Sequence, residues 1–274
     1  MKGFGTKLLV FTDLHIVEEG GEIIGLDPGA RFSEGLSHAL THHGDADGII
    51  LMGDLTHHGR TSQFERLYGL LKDVPLPITY MLGNHDNRDV FRRVFPEADV
   101  TSDGHVQRMQ EFAGCVLITL DTMDLQVKPR HSGVLCPSRL AWLERALVWA
   151  AGRPVVVAMH HPPVMTGFAG MDRIALQNPE PLLDMLRSYG GPLHLLCGHV
   201  HRTISGFAEG VPFTIFKSPC HQQPMPFDGA GSANSVDEPG AYGIVLAGES
   251  GIIAHSEDFA IAAATTPSRD TASR

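Results

Sequence analysis

The chain has 274 residues, and its mass of 29.7 kDa leaves ample room for a hydrophobic core. With 21 Lys and Arg against 31 Asp and Glu, the net charge of −10 excludes a broad affinity for nucleic acid phosphates. Hydrophobic residues at 43% and charged residues at 19% exclude a disordered or fibrous chain, which leaves 16 histidines as the unusual number.

In chain order, short apolar runs that read as strands fall at 7–12, 48–52, 77–82, 116–120, 154–159 and 193–197. Helical spacing fills much of the space between them. Phe32, Leu36, Ala39 and Leu40 share one face of a segment at about 31–43, and Phe64, Leu67, Leu70 and Leu71 share one at 62–71. Leu140, Leu143, Ala146 and Leu147 predict an amphipathic helix over 138–150, and the helix over 178–189 has Pro179 and Pro181 near its start. Strands without helices between them follow at 203–208, 212–217, 242–247 and 251–255. The pattern predicts a mixed α/β protein, a βαβ half followed by a more antiparallel half.

One domain over 1–261 is the simplest organisation, with 262–274 as a small, polar, frayed tail. Loops 17–29, 162–177 and 222–240 are rich in Gly or Pro and long, which favours cleft lining or an oligomer contact. Cys115, Cys136, Cys197 and Cys220 form no CxxC pair, so neither a zinc ribbon nor a disulfide framework is expected. The first apolar run leads straight into Thr12-Asp13 without an export signal, and no segment approaches the roughly 18 apolar residues of a membrane span. A cytoplasmic protein is the expectation.

Five strand ends carry Asp, His or Asn. Asp13-Leu14-His15 follows the first strand, Gly53-Asp54 with Gly59 the second, and Gly83-Asn84-His85-Asp86 the third; His160-His161-Pro162-Pro163 and Gly198-His199-Val200-His201 follow two later ones. In open α/β sheets such ends share one crevice. Buried carboxylates and imidazoles crowded there need pairing or a metal, and divalent cations would supply it. Asp-x-His and His-x-His spacings place both side chains on one face of an extended segment, and glycines before Asp54, Asn84 and His199 let the backbone turn sharply. Because successive strand residues face opposite sides, only one of His160 and His161 is expected to point at the metals.

These motifs, spanning 13–201, resemble those of the calcineurin-like metallophosphoesterases: D-x-H, G-D-x4-G, G-N-H-D, a histidine after an apolar strand, and G-H-x-H. Within that family the chain is most similar to bacterial class III cyclic nucleotide phosphodiesterases and the related glycerophosphodiesterases. The His-His-Pro-Pro run, Gly167, Met171-Asp172 and Asn178 resemble the latter. The resemblance implies a four-layer α/β/β/α sandwich with a dinuclear centre. It assigns Asp13, His15 and His201 to one metal, Asn84, His160 and His199 to the other, and Asp54 to both. It also favours His160 over His161 as the ligand. Mixed carboxylate, amide and imidazole donors suit Fe, Mn, Zn or Co.

The expected chemistry is hydrolysis of a small phosphodiester by a metal-activated hydroxide, without a covalent intermediate. His85, beside Asn84, is placed to touch the phosphate or protonate the leaving alkoxide, making His85, Asp54 and Asn84 the catalytic candidates. Asp86 and His161 are expected to act as supports around the ligands. His57 and His58 are open between the cleft rim and an exposed loop, and the remaining histidines have no assigned part. A phosphomonoesterase or phosphoprotein phosphatase would use the same centre, and a scaffold without metals would require ligand loss. The expected partner is a small phosphodiester, with no nonspecific nucleic acid binding, no membrane span, and assembly as a homo-oligomer.

Overall fold

The computed structural model describes residues 3–225, 227 and 234–261. The proposed tail at 262–274 lies outside them, as does part of loop 222–240. In chain order the elements are β1 (Thr6–Phe11), α1 (Pro28–His43), β2 (Gly48–Met52), α2 (Thr61–Leu71), β3 (Ile78–Met81), α3 (Arg88–Val94), β4 (Met109–Glu111), β5 (Val116–Leu120) and α4 (Pro137–Ala150). There follow β6 (Val155–Met159), α5 (Ala169–Asp172), α6 (Pro179–Ser188), β7 (Leu193–Cys197), β8 (Ile204–Ala208), β9 (Val211–Ile215), β10 (Ala241–Gly248) and β11 (Gly251–Asp258).

The strands form two mixed sheets, ordered β11-β10-β1-β2-β3 and β4-β5-β6-β7-β9-β8. Alternation along β1 and β2 shows how they stack. Leu8, Val10, Ile50 and Met52 enter a core with Ile118, Val157 and Leu195 of the other sheet. Leu9, Phe11, Ile49 and Leu51 turn the other way, onto Phe32 of α1, Phe64 of α2 and Phe91 of α3. Helices α4 and α6 cover the second sheet through Leu143, Leu147, Leu182 and Leu186. These are the four expected layers, and the uninterrupted apolar runs follow because both faces of each central strand are covered.

The predicted helices and strands are present with ends moved by a few residues. Helix α1 starts at Pro28 because Asp27 accepts the N–H of Gly29 at 2.9 Å and Pro28 needs no partner for a missing N–H. Helix α3, the three-residue β4 and the one-turn α5 were not expected from periodicity; each is too short to show a repeat. The second half is mostly antiparallel, as expected: β8 pairs antiparallel with β9, and β10 with both β11 and β1, while β9 alone joins its sheet in parallel, beside β7.

β1, β2 and β3 are mutually parallel, as are β5, β6, β7 and β9. The carboxyl ends of β1, β2, β3, β6 and β7 therefore bring Asp13, Asp54, Asn84, His160 and His199 to one end of the sandwich. Among the described residues no helix is long and apolar enough to cross a membrane.

Candidate metal centre

The strand ends converge through strained backbone. Asp13, His15, Asp54, His199 and His201 have φ of 56°, 48°, 48°, 71° and 52°, the left-handed region that non-glycine residues visit at a cost of roughly 1–3 kcal/mol each. The Asp-x-His and His-x-His pairs thus depart from the extended backbone expected from their spacing; the turn at each member folds the side chains into one space. Hydrogen bonds hold it there: Asp13 N–H donates to Gly53 O at 3.0 Å, His15 N–H to Asp54 O at 2.9 Å, and Gly198 N–H to His160 O at 3.1 Å. Of the glycines before Asp54, Asn84 and His199, only Gly53 supplies a positive φ, 88°. Gly83 supplies room, since a Cβ there would lie 2.3 Å from Asp54 Oδ1.

Asp54 lies at the centre. Its Oδ2 is 3.7 Å from His15 Nε2 and 3.3 Å from His160 Nε2, while Oδ1 accepts the His85 N–H at 2.8 Å. On one side His15 Nε2 faces His201 Nε2 at 3.0 Å, and His201 Nε2 is 3.3 Å from Asp13 Oδ1. Across Asp54 lie His160, His199 and Asn84, whose Nε2, Nε2 and Oδ1 atoms are buried without a hydrogen-bond partner. Three buried polar atoms without a hydrogen-bond partner in one pocket would each forfeit solvation unless a cation takes them. The donor set of imidazole, carboxylate and amide oxygen therefore fits divalent metal ions.

Burial opposes ionisation of Asp54, but His160 and His85 outweigh it and hold the carboxyl well below its usual value. Burial likewise opposes a proton on His160, yet Asp54 and Asp13 raise it to about 9, so a cation bound by His160 Nε2 would take the place of that proton between the two carboxylates. His15 and His199 are driven well below the ordinary histidine value by burial and by neighbouring imidazoles, so their lone pairs stay free.

Asp86 and His161 sit behind this set. The Asp86 carboxylate accepts from Leu55 N, Thr56 N, Thr56 Oγ1 and Gly83 N at 2.9 to 3.0 Å, tying the Asp54 and Asn84 turns together. His161 donates from Nε2 to His131 O at 3.1 Å, so its Nδ1 accepts from Thr122 Oγ1 at 2.7 Å. No lone pair remains for a metal, although His161 stands within 4.8 Å of His160 and His199 by their ring nitrogens.

An outer ring of histidines surrounds this set; the sequence leaves His57 open between cleft rim and exposed loop and gives His131 and His221 no assigned part. His57, His131 and His221 reach the site through backbone carbonyls: His57 O accepts from His85 Nδ1 at 2.8 Å, His131 O from His161, and His221 O from His201 Nδ1 at 2.9 Å. Asn84 Nδ2 donates to His131 Nδ1 at 3.2 Å, which turns Oδ1 inward. Burial, aided by neighbouring imidazoles, lowers His57 to about 4 and His221 to about 3, so both rings are neutral near pH 7. His58 is exposed, and its N–H donates to Gln63 Oε1 at 2.8 Å.

A cleft of about 410 Å³ opens over the centre, and all three long loops line it: Ile23 and Ile24, Met171 and Ile174, and Gln223, Asn234 and Ser235. No lysine or arginine is among the described lining residues.

The model of the calcineurin-like phosphoesterase family matches residues 6–203. The chain belongs to that family. This calcineurin-like phosphoesterase is 37% identical over 254 residues, 92% of both chains, to a probable cyclic nucleotide phosphodiesterase of Rhodopseudomonas palustris. It is 32% identical over 195 residues, 70% of both chains, to a probable glycerophosphodiester phosphodiesterase of Arcobacter nitrofigilis. The fold is shared with a dimetal phosphatase from Danio rerio, at a TM-score of 0.66 and 13% identity over 92% of this chain and 98% of that one. The four-layer sandwich expected from the sequence is that of this family, which uses a binuclear metal centre.

Proposed function

We propose that this calcineurin-like phosphoesterase hydrolyses small phosphodiesters, 3′,5′-cyclic nucleotides or glycerophosphodiesters, with two divalent ions drawn from Fe, Mn, Zn and Co. The observation that carries the reading is Asp54 Oδ2 lying between the His15 and His160 imidazoles, with the orphaned donors of Asn84, His160 and His199 around it. Asp13, His15 and His201 would hold one ion, Asn84, His160 and His199 the other, and Asp54 both. Such ions supply an activated water and neutralise charge on the phosphate oxygens.

The chain's own groups do the rest. His85 donates from Nδ1 to His57 O, which leaves its Nε2, on a ring that lines the cleft, to deliver a proton to the leaving alkoxide when the ring is protonated. Its orientation is fixed from two sides by the rings of His57 and His131, at 5.3 and 5.4 Å. The apolar wall of Ile23, Ile24, Met171 and Ile174, faced by the amides of Gln223 and Asn234, suits an organic ester group attached to the phosphate. The relatives named above carry cyclic nucleotide and glycerophosphodiester activities in their names.

The test compares kcat/KM of the metal-loaded protein on cyclic nucleotides, glycerophosphodiesters and phosphomonoesters. Faster turnover of a diester is expected, and hydrolysis confined to monoesters would overturn the reading.

A further inference from the structure

The first long loop carries a turn whose sequence does not suit it. Ile23 and Leu26 form an antiparallel bridge, each N–H donating to the other's carbonyl at 2.9 Å, so Ile24 and Gly25 are the two central residues of a hairpin. Both have positive φ, 49° and 80°, the pattern of a type I′ turn, whose first central position favours asparagine, aspartate or glycine. Here it holds isoleucine. A branched Cβ crowds the backbone in the left-handed region, and Ile24 is the one β-branched residue there among the described residues.

Packing in the core does not account for that choice, since Ile24 is 48% exposed. It borders the cleft over the metal centre, in a lining that also holds Ile23, Gln223 and Asn234. The turn is fixed from its base. Arg66 of α2 grips both arms of the loop: Nη1 donates to Val17 O at 3.0 Å and Glu18 O at 3.2 Å, and Nη2 to the Asp27 carboxylate at 2.7 and 2.9 Å. Gly29 makes room for the guanidinium, since a Cβ there would lie 2.6 Å from Arg66 Nη2. Backbone strain kept in so firmly determined a setting, under a side chain that packs into no core, points to a use for that side chain.

We propose that Ile24 is a specificity-determining residue, held at the cleft mouth to pack against a flat ring, such as a nucleobase, on the organic group of the diester. The proposal rests on the diesterase reading above. An isoleucine side chain has no hydrogen-bonding atom, so it rewards apolar ring surface and gives little to the hydroxyls of a glycerol group. Asparagine in its place relaxes the turn and loses the contact. Fold stability and substrate binding therefore move in opposite directions on that substitution, which a purely structural isoleucine would not produce.

The experiment compares the metal-loaded, full-length protein with Ile24→Asn, and with Ala151→Gly as the control. Ala151 caps α4 at a φ of 53° and is not among the cleft lining, so its replacement relieves strain away from the site. In thermal unfolding both substitutions are expected to raise the midpoint by about 2–4 °C. In kinetics, Ile24→Asn is expected to raise KM for 3′,5′-cyclic AMP about 5- to 30-fold with a smaller change in kcat, and KM for glycerophosphoethanolamine much less. Ala151→Gly is expected to leave both KM values as they are. A cyclic nucleotide KM unmoved by Ile24→Asn, an equal rise on both substrates, or a midpoint that fails to rise overturns the proposal. Turnover of the glycerophosphodiester alone also overturns it while leaving the diesterase reading intact, and turnover of neither diester overturns both.

Discussion

The carboxylate of Asp13 accepts the backbone N–H of His199 through both oxygens, at 3.1 and 3.0 Å, across the junction of the two sheets. It also takes the Thr12 hydroxyl at 2.7 Å. A candidate metal ligand is thus also a clasp between the β1 and β7 ends. Asp13→Ala leaves the buried His199 N–H short of an acceptor, at a cost of about 1–3 kcal/mol, while the Thr12 hydroxyl keeps Met52 O at 3.1 Å. Denaturant unfolding in the presence of chelator should show that loss, separating the clasp from metal binding; an unchanged midpoint would refute it.

His85 is placed to act on the leaving group. His85→Ala should lower kcat by roughly 10²- to 10⁴-fold on diesters with poor alkoxide leaving groups and much less on nitrophenyl diesters, which need no proton. Equal losses on both classes would remove the acid role.

The four cysteines should react very differently. Burial raises the Cys136 thiol, but hydrogen bonds from Ser138 and Arg139 outweigh it and bring the thiol down to about 7. Burial pushes Cys115 and Cys220 up to about 12 and Cys197 higher still. Alkylation of the native protein, followed by mass spectrometry, should label Cys136 first, at a rate that rises as pH passes through about 7. Arg139→Gln should shift that rise to higher pH.

Legibility in the sequence followed chain locality. Each strand-end motif pairs an apolar run with a polar turn, so Asp13, Asp54, Asn84, His160 and His199 could be placed at one end of the sheets before any coordinates. The left-handed turns at Asp13 and Asp54 were hidden, because nothing in a one-letter code distinguishes an aspartate at φ near 50° from an extended one. His131 and His221 were hidden for another reason. They hold His161 and His201 by main-chain carbonyls, which any residue type would present. The one signal was density: His57 sits three residues after Asp54, and His221 immediately precedes the lining loop 222–240. The buried Asp121, gripped by Arg88 at 2.9 Å through both oxygens, joins α3 to the end of β5 and has no sequence pattern at all.

Asp27 links the first long loop to the helices. Burial raises its carboxyl pKa, and hydrogen bonds from Arg66 and Gly29 outweigh that effect, so the folded value lies below the ordinary one. The resulting stabilisation is present above the unfolded carboxylate value and is lost as pH falls through the lowered folded one. Asp27→Asn keeps the cap on α1 but removes the Arg66 charge pair. Its stability deficit in thermal unfolding should be present at neutral pH and shrink in acid; a deficit independent of pH would contradict the pairing.

The central claim is a pair of cations around Asp54 that the diesterase chemistry requires. Its most direct measurement is metal content and diester turnover on one sample, before chelation, after chelation, and after adding back manganese, iron, zinc or cobalt. The account predicts turnover lost on chelation and restored as occupancy approaches two ions per chain, with Asp54→Asn unable to recover it. Diester turnover that survives complete metal removal, or none at two ions per chain, would contradict it.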